Sequence, residues 1–175
     1  GMEKLIAIKN PNVKDKEIPK LMRREIKNYE NLHFPLLPEF YGVGERLISG
    51  VPEYLAIEYI EGRTLENIRN IHLKNNEKIR IIFELMVTIN FLHQQNFIYR
   101  DLKPDNVMID KSNTAILIDF DRMIISDDIK DKNVLSDYSG YFFHIYASPE
   151  ISRGDPYSFE CDIYSLGQMI YYIIM

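Results

Sequence analysis

Residues 99–106 read Tyr99-Arg100-Asp101-Leu102-Lys103-Pro104-Asp105-Asn106, and thirteen residues after Asn106 comes Asp119-Phe120-Asp121. Asp101 and Lys103 stand two apart in a stretch expected to be extended, so both side chains can face one site. Moving a phosphoryl group requires a residue that orients the attacking hydroxyl, a cation on the migrating phosphate and oxygen ligands for magnesium. Its transition state demands positioning and charge neutralisation more than covalent chemistry. The stretch holds all three kinds of residue.

Working outward, Leu5-Ile6-Ala7-Ile8-Lys9 reads as a strand stopped by Asn10-Pro11, which puts Lys9 at a strand end. From Glu17 to Leu32 an amphipathic helix is expected, with Leu21, Met22, Ile26 and Tyr29 as its apolar face. Phe40 to Ser49 and Tyr54 to Ile60 read as a strand pair joined through Gly50-Val51-Pro52. Glu61-Gly62-Arg63 interrupts the pattern, and Thr64-Leu65-Glu66 reads as the capped start of a short helix. Ile79, Ile82, Phe83, Met86, Ile89 and Asn90 recur at helical spacing and predict a long helix ending before Gln94-Gln95-Asn96. Val107-Met108-Ile109 and Ala115 to Ile118 read as short strands across a polar turn. Cys161 to Met175 is apolar nearly all round and reads as a central buried helix.

With 46% apolar and 27% charged residues, the composition is that of a folded domain rather than a disordered chain. A net charge of −5 gives no global electrostatic case for nucleic acid or an anionic membrane. The most apolar run is too short and too interrupted to span a bilayer. A single cysteine, Cys161, and a start with no charged-then-apolar leader favour a reducing, cytoplasmic setting, with Cys161 as buried packing.

The Y-R-D-L-K-P-D-N stretch with D-F-D resembles the catalytic loop and metal-binding triplet of eukaryotic protein kinases, and its K-P-D-N form is similar to that of serine/threonine kinases. Ile6-Ala7-Ile8-Lys9 resembles the V-A-I-K strand, Ser148-Pro149-Glu150 the A-P-E triplet, and Asp162 to Gly167 the start of the central helix. The resemblance implies an α+β, two-lobed fold, with a partial N-lobe over residues 1–60 and a mainly helical partial C-lobe over 61–175. The Gly-rich loop and the late C-lobe helices of the family have no counterpart in the sequence. It further implies a kinase transferring the γ-phosphoryl of ATP to a serine or threonine hydroxyl of a protein.

In that family's terms Lys9 pairs with nucleotide phosphates and with a helix glutamate, for which Glu25 is the candidate and Glu30 the alternative. Asp101 orients the substrate hydroxyl and Lys103 neutralises the transferring phosphate, while Asn106 and Asp119 hold Mg2+. Ala56 to Gly62 is similar to the adenine-binding hinge, which makes Ile57 the gatekeeper. The backbone of Glu58 and Ile60 then faces the base, and Ala7 and Met108 sandwich it. Asp162 is expected to hold the catalytic-loop backbone. Arg100 is expected beside an activation segment whose Ser136, Tyr138, Ser139 and Tyr141 are candidate phosphorylation sites.

Two departures stand out. Asp121 replaces the glycine of D-F-G, adding a charge that either repels phosphate or gives a further metal contact. Phe143 replaces a threonine that in serine/threonine kinases links the activation segment to the catalytic aspartate and lysine. A weakly active or inactive piece is therefore expected, binding ATP and a protein substrate and exposing its last helix to possible association. The alternative reading is a pseudokinase or non-catalytic scaffold.

Overall fold

The structure, a computed structural model, describes residues 5–10, 18–45, 52–68, 73–126 and 145–175, with backbone alone at 18–20, 45, 52 and 53. Ser136, Tyr138, Ser139, Tyr141 and Phe143 lie outside the described residues.

The chain opens with strand β1 (Ile6–Lys9), helix α1 (Ile18–Glu30), β2 (Phe40–Glu45) and β3 (Pro52–Glu58). The three strands form an antiparallel sheet in the order β1-β3-β2, with Ala7 opposite Ile57 and Lys9 opposite Leu55. A bulge between Phe40 and Gly42 breaks the β2 register, and Gly42 takes a φ of 141° there, a backbone region that side chains other than glycine's rarely allow. Helix α1 lays Met22, Ile26 and Tyr29 against the sheet, which is the face its spacing predicts.

Beyond the sheet, Gly62–Thr64 is strand β4 rather than the start of a helix. It pairs with β6 (Val107–Asp110), which in turn pairs with β7 (Ala115–Leu117). Thr64 Oγ1 still accepts from the Asn67 amide, but a single turn follows over residues 65–68. The local cap signal is real, while the strand pairing is made by residues more than forty positions away. Gly62 is required by that pairing: a Cβ there would lie 2.1 Å from the Ile109 carbonyl oxygen.

Helix α2 (Asn75–Gln94) begins where Glu77 accepts the Lys74 amide at 2.7 Å, so one orphan N–H of the first turn is satisfied. Its buried residues are Ile81, Leu85, Thr88, Ile89 and Leu92. The expected face is thus corrected: Ile79 (67% exposed), Phe83 (64%) and Met86 (48%) point outward. Two apolar stripes share this helix, and periodicity alone does not choose between them. Thr88 sits inside at little cost because its hydroxyl donates to the Glu84 carbonyl.

Strand β5 (Phe97–Ile98) pairs with β8 (Ile124–Ile125), the short helix α3 spans Pro149–Arg153, and α4 spans Glu160–Ile174. Cys161, Asp162, Ser165, Leu166, Met169 and Ile173 of α4 are buried, whereas Ile163, Tyr164, Tyr171 and Ile174 are exposed. This helix therefore has two faces and is not enclosed all round among the described residues. Cys161 packs inside as expected, and burial pushes its thiol pKa far up, so it is a packing group rather than a reactive one. Among the described residues no helix is long and apolar enough to cross a membrane.

Candidate functional site

Lys9, at the end of β1, reaches two carboxylates from distant parts of the chain. Its Nζ lies 2.8 Å from Glu25 Oε2 on α1 and 2.7 Å from Asp119 Oδ1 after β7. Glu25, not Glu30, is the partner, because α1 turns Glu25 inward while Glu30 is exposed. Asp119 takes φ 65°, a left-handed backbone that is uncommon outside glycine and asparagine. Aspartate enters this region more readily than most side chains, and here it brings the carboxylate to Lys9.

The charges in this cluster are unequal. Burial works against the Lys9 ammonium, but Glu25 and Asp119 outweigh it and hold its pKa above the ordinary lysine value. Burial raises the Glu25 carboxyl, Lys9 opposes it and Asp119 adds to it, and the net result is a pKa pushed up to about 7. Lys9 is 42% exposed at its side chain and Glu25 only 2%, so Lys9 is the standing charge and Glu25 the titrating partner.

A carboxyl whose folded value of about 7 exceeds its ordinary 4.5 binds more protons in the folded state. Its stabilising contribution is complete below pH 4.5 and fades as pH rises through about 7. In urea titrations from pH 4.5 to 7, the wild-type protein should therefore lose stability relative to Glu25→Gln as pH rises. A constant difference across that range would show that Glu25 does not titrate there.

The second cluster lies within residues 99–106. Asp101 is buried, and its Oδ2 accepts from Lys103 Nζ at 2.9 Å and from Asn106 Nδ2 at 2.9 Å. Asn106 Nδ2 also donates to the Asp101 carbonyl at 2.9 Å, which turns the amide oxygen of Asn106 away from Asp101. A short 3-10 turn over Pro104–Asn106 delivers this amide, and the Ile118 amide donates to the Asn106 carbonyl at 2.9 Å. The loop and the strand leading to Asp119 are thereby in register.

Asp162 carries the loop from beneath. Wholly buried at the start of α4, it accepts the Tyr99 amide at 2.8 Å on Oδ2 and the Arg100 amide at 2.7 Å on Oδ1, as the sequence leads one to expect. His93 Nε2 lies 2.9 Å from Oδ2, a partner the sequence analysis does not name. Arg100 is also buried, with φ 69°, donating from Nε to the Arg122 carbonyl and from Nη1 to the Tyr157 hydroxyl, both at 2.6 Å. It joins the residues after Asp119 to those after α3.

An aromatic column closes the interior. Phe120 is fully buried, 4.5 Å between ring centroids from Tyr29 and 6.1 Å from Tyr99, and Tyr29 in turn stacks 6.3 Å from Phe40. Tyr99 donates to the Ile118 carbonyl at 2.5 Å. Next to this column, burial and then Asp119 raise the Asp121 carboxyl pKa, partly offset by Lys9 and by Arg122, whose Nε is 3.8 Å away.

At the strand pair's end, Ala7 and Ile57 face each other across β1 and β3, and Ile57 packs on the core. The Glu58 amide donates to the Glu39 carbonyl at 2.8 Å, and the Tyr59 amide to Leu5 at 3.3 Å. Ile60 makes no backbone hydrogen bond among the described residues. Met108 is half-buried on β6, opposite Thr64.

Comparisons with known proteins agree with this arrangement. The family model described as the protein kinase domain matches residues 2–175. The chain is similar to serine/threonine-protein kinase PknB of Mycobacterium leprae, at 33% identity over 87% of this chain and 25% of that protein. It is also similar to a probable serine/threonine-protein kinase PknB of Lactococcus lactis, at 28% identity over 98% of this chain and 27% of that protein. A probable serine/threonine-protein kinase KIN1 homolog of Encephalitozoon cuniculi is 33% identical over 73% of this chain and 22% of its own length. The chain spans about a quarter of the length of these curated relatives. A family match along almost the whole chain, over an α+β fold that brings Lys9, Glu25 and Asp119 together, shows that the chain belongs to the protein kinase domain family.

Proposed function

We propose that this chain is part of a serine/threonine protein kinase that moves the γ-phosphoryl group of ATP to a protein hydroxyl with Mg2+. The supporting observation is the convergence of a single ammonium, Lys9 Nζ, on Glu25 at 2.8 Å and Asp119 at 2.7 Å. Residues 1–60 then form the smaller lobe and 61–175 the larger. The hinge backbone at Glu58 and Ile60 takes the adenine, with Ile57 behind it and Ala7 and Met108 on its two faces.

The donor set fits a hard cation. Asn106 offers an amide oxygen turned away from Asp101, and Asp119 a partly exposed carboxylate. Magnesium is commonly held by one or two such oxygens together with phosphates and water. When bound, it supplies charge neutralisation on the phosphate oxygens. The chain's own residues do the rest: Lys9 holds phosphate oxygens, Asp101 orients and accepts the proton of the substrate hydroxyl, and Lys103, 2.9 Å from Asp101, offsets charge on the migrating group. The buried, unbridged Cys161 supports a reducing, cytoplasmic setting. The exposed Ile163, Tyr171 and Ile174 make association through α4 a further property to check by sedimentation.

One observation favours a non-catalytic scaffold instead: Asp121 is a third carboxylate close to where phosphate would sit, its pKa raised by burial and by Asp119. Thermal stability against Mg-ATP decides between the readings. Selective binding to the folded state adds about 2.7 kcal/mol at a hundredfold excess over Kd. A magnesium-dependent rise in Tm is expected, and none at millimolar nucleotide supports the scaffold. Repeating the titration with Asp121→Gly gives tighter binding if that carboxylate repels phosphate and weaker binding if it helps hold the metal.

A further inference from the structure

Asn28 lies on α1 one turn beyond Glu25 and is almost fully buried. A polar side chain on the apolar face of a helix is costly unless its hydrogen-bonding groups are met. Here the Nδ2 amide donates to two backbone carbonyls of a single distant segment, Phe120 at 2.9 Å and Met123 at 3.0 Å. That segment begins immediately after Asp119, and it is held on its other side by Arg100 through the Arg122 carbonyl. Tyr29, the next residue on α1, packs its ring on Phe120 at 4.5 Å.

From this geometry we propose that Asn28 is a positioning residue, coupling the placement of α1, and with it Glu25, to the segment that carries Asp119. Lys9 needs both carboxylates at hydrogen-bond distance at once, and they come from two separate elements. Ring packing between Tyr29 and Phe120 resists separation of those elements but tolerates sliding. Two directional bonds from one amide set the register of α1 along the segment, because a slide of about one ångström breaks both. The Asn28 contact and the Lys9 contacts thus report the same alignment from opposite ends. The inference rests on the kinase reading for its effect on nucleotide, but not for the coupling itself.

The test uses Asn28→Leu, alike in its branched shape though larger and without the donor, and Asn28→Ala, a strong helix former that adds no bulk, as the second variant. Hydrogen exchange is measured on each folded protein. Faster exchange confined to α1 and residues 120–125, with α2 and α4 still protected, is the expected result. A uniform rise that includes α2 and α4 would mean that Asn28 only adds global stability, and no rise at all would mean that it couples nothing. Either outcome overturns the proposal. On the same samples Kd for Mg-ATP should weaken roughly tenfold in Asn28→Ala, the size expected for losing about one buried hydrogen bond's worth of alignment. An unchanged Kd beside a selective exchange change would remove Asn28 from the phosphate site, whereas failure of the wild-type protein to bind Mg-ATP would count against the kinase reading and leave the exchange result to decide the coupling.

Discussion

On the proposed kinase reading, Asp101→Ala in the full-length protein should lower the rate of phosphate transfer by roughly 10²- to 10⁴-fold, the usual worth of a positioned acid or base, while changing Mg-ATP affinity little. The substitution removes the carboxylate that Lys103 and Asn106 both address. It spares the loop's shape, because Asn106 keeps its bond to the Asp101 backbone carbonyl and Asp162 still holds the Tyr99 and Arg100 amides. The loss should therefore fall on kcat. Radiolabelled transfer to a protein substrate measures it, with Asp101→Asn as the isosteric companion. Transfer within tenfold of wild type in both variants would take the role of base away from Asp101.

The largest effect on stability is expected from Asp162→Ala, at roughly 3–5 kcal/mol of unfolding free energy. Its carboxylate is the acceptor for two buried main-chain donors and lies 2.9 Å from His93. Truncation leaves the Tyr99 and Arg100 amides without partners in a place water reaches poorly, and each such group costs about 1–3 kcal/mol. Against a domain stability of about 5–15 kcal/mol, this is a large share of the total. Urea denaturation reads it directly, and a loss under about 1 kcal/mol would show that the loop is held by other means.

The residues legible in the sequence are those whose partners announce themselves in short, ordered runs. Lys9 closes an apolar strand, Asp101, Lys103 and Asn106 share one loop, and Asp119 ends another strand, and the resemblance of these runs to protein-kinase motifs is what implies one shared site. Glu25 is chosen over Glu30 because Arg24-Glu25-Ile26 stands where the resemblance places the helix glutamate, and the fold turns it inward. Asn28 and His93 are not legible, because an isolated asparagine or histidine in a helix carries no local sign of its distant acceptor. Strand β4 is missed for a similar reason: Gly62 and Arg63 read as an interruption and Thr64 as a helix cap, and only β6 makes the three a strand. The outward face of α2 is misread because Ile79, Phe83 and Met86 obey the same spacing as the buried set.

Glu58 ends the first sheet and Gly62 begins the second, so a bridge of three residues, 59–61, is the only covalent link between the β1–β3 sheet and everything after it. Four Cα steps reach at most about 14 Å when drawn straight. Both anchor points are ladder residues, Glu58 opposite Ile6 and Gly62 opposite Asp110. Such a tether limits how far the two halves can separate, and Lys9 on Asp119, Asn28 on Phe120 and the Leu117 amide on Leu36 fix how they face each other. Insertions at 59–61 would therefore lengthen the bridge, shift the Ile60 backbone and relax the alignment of Lys9 on Asp119 across the two halves.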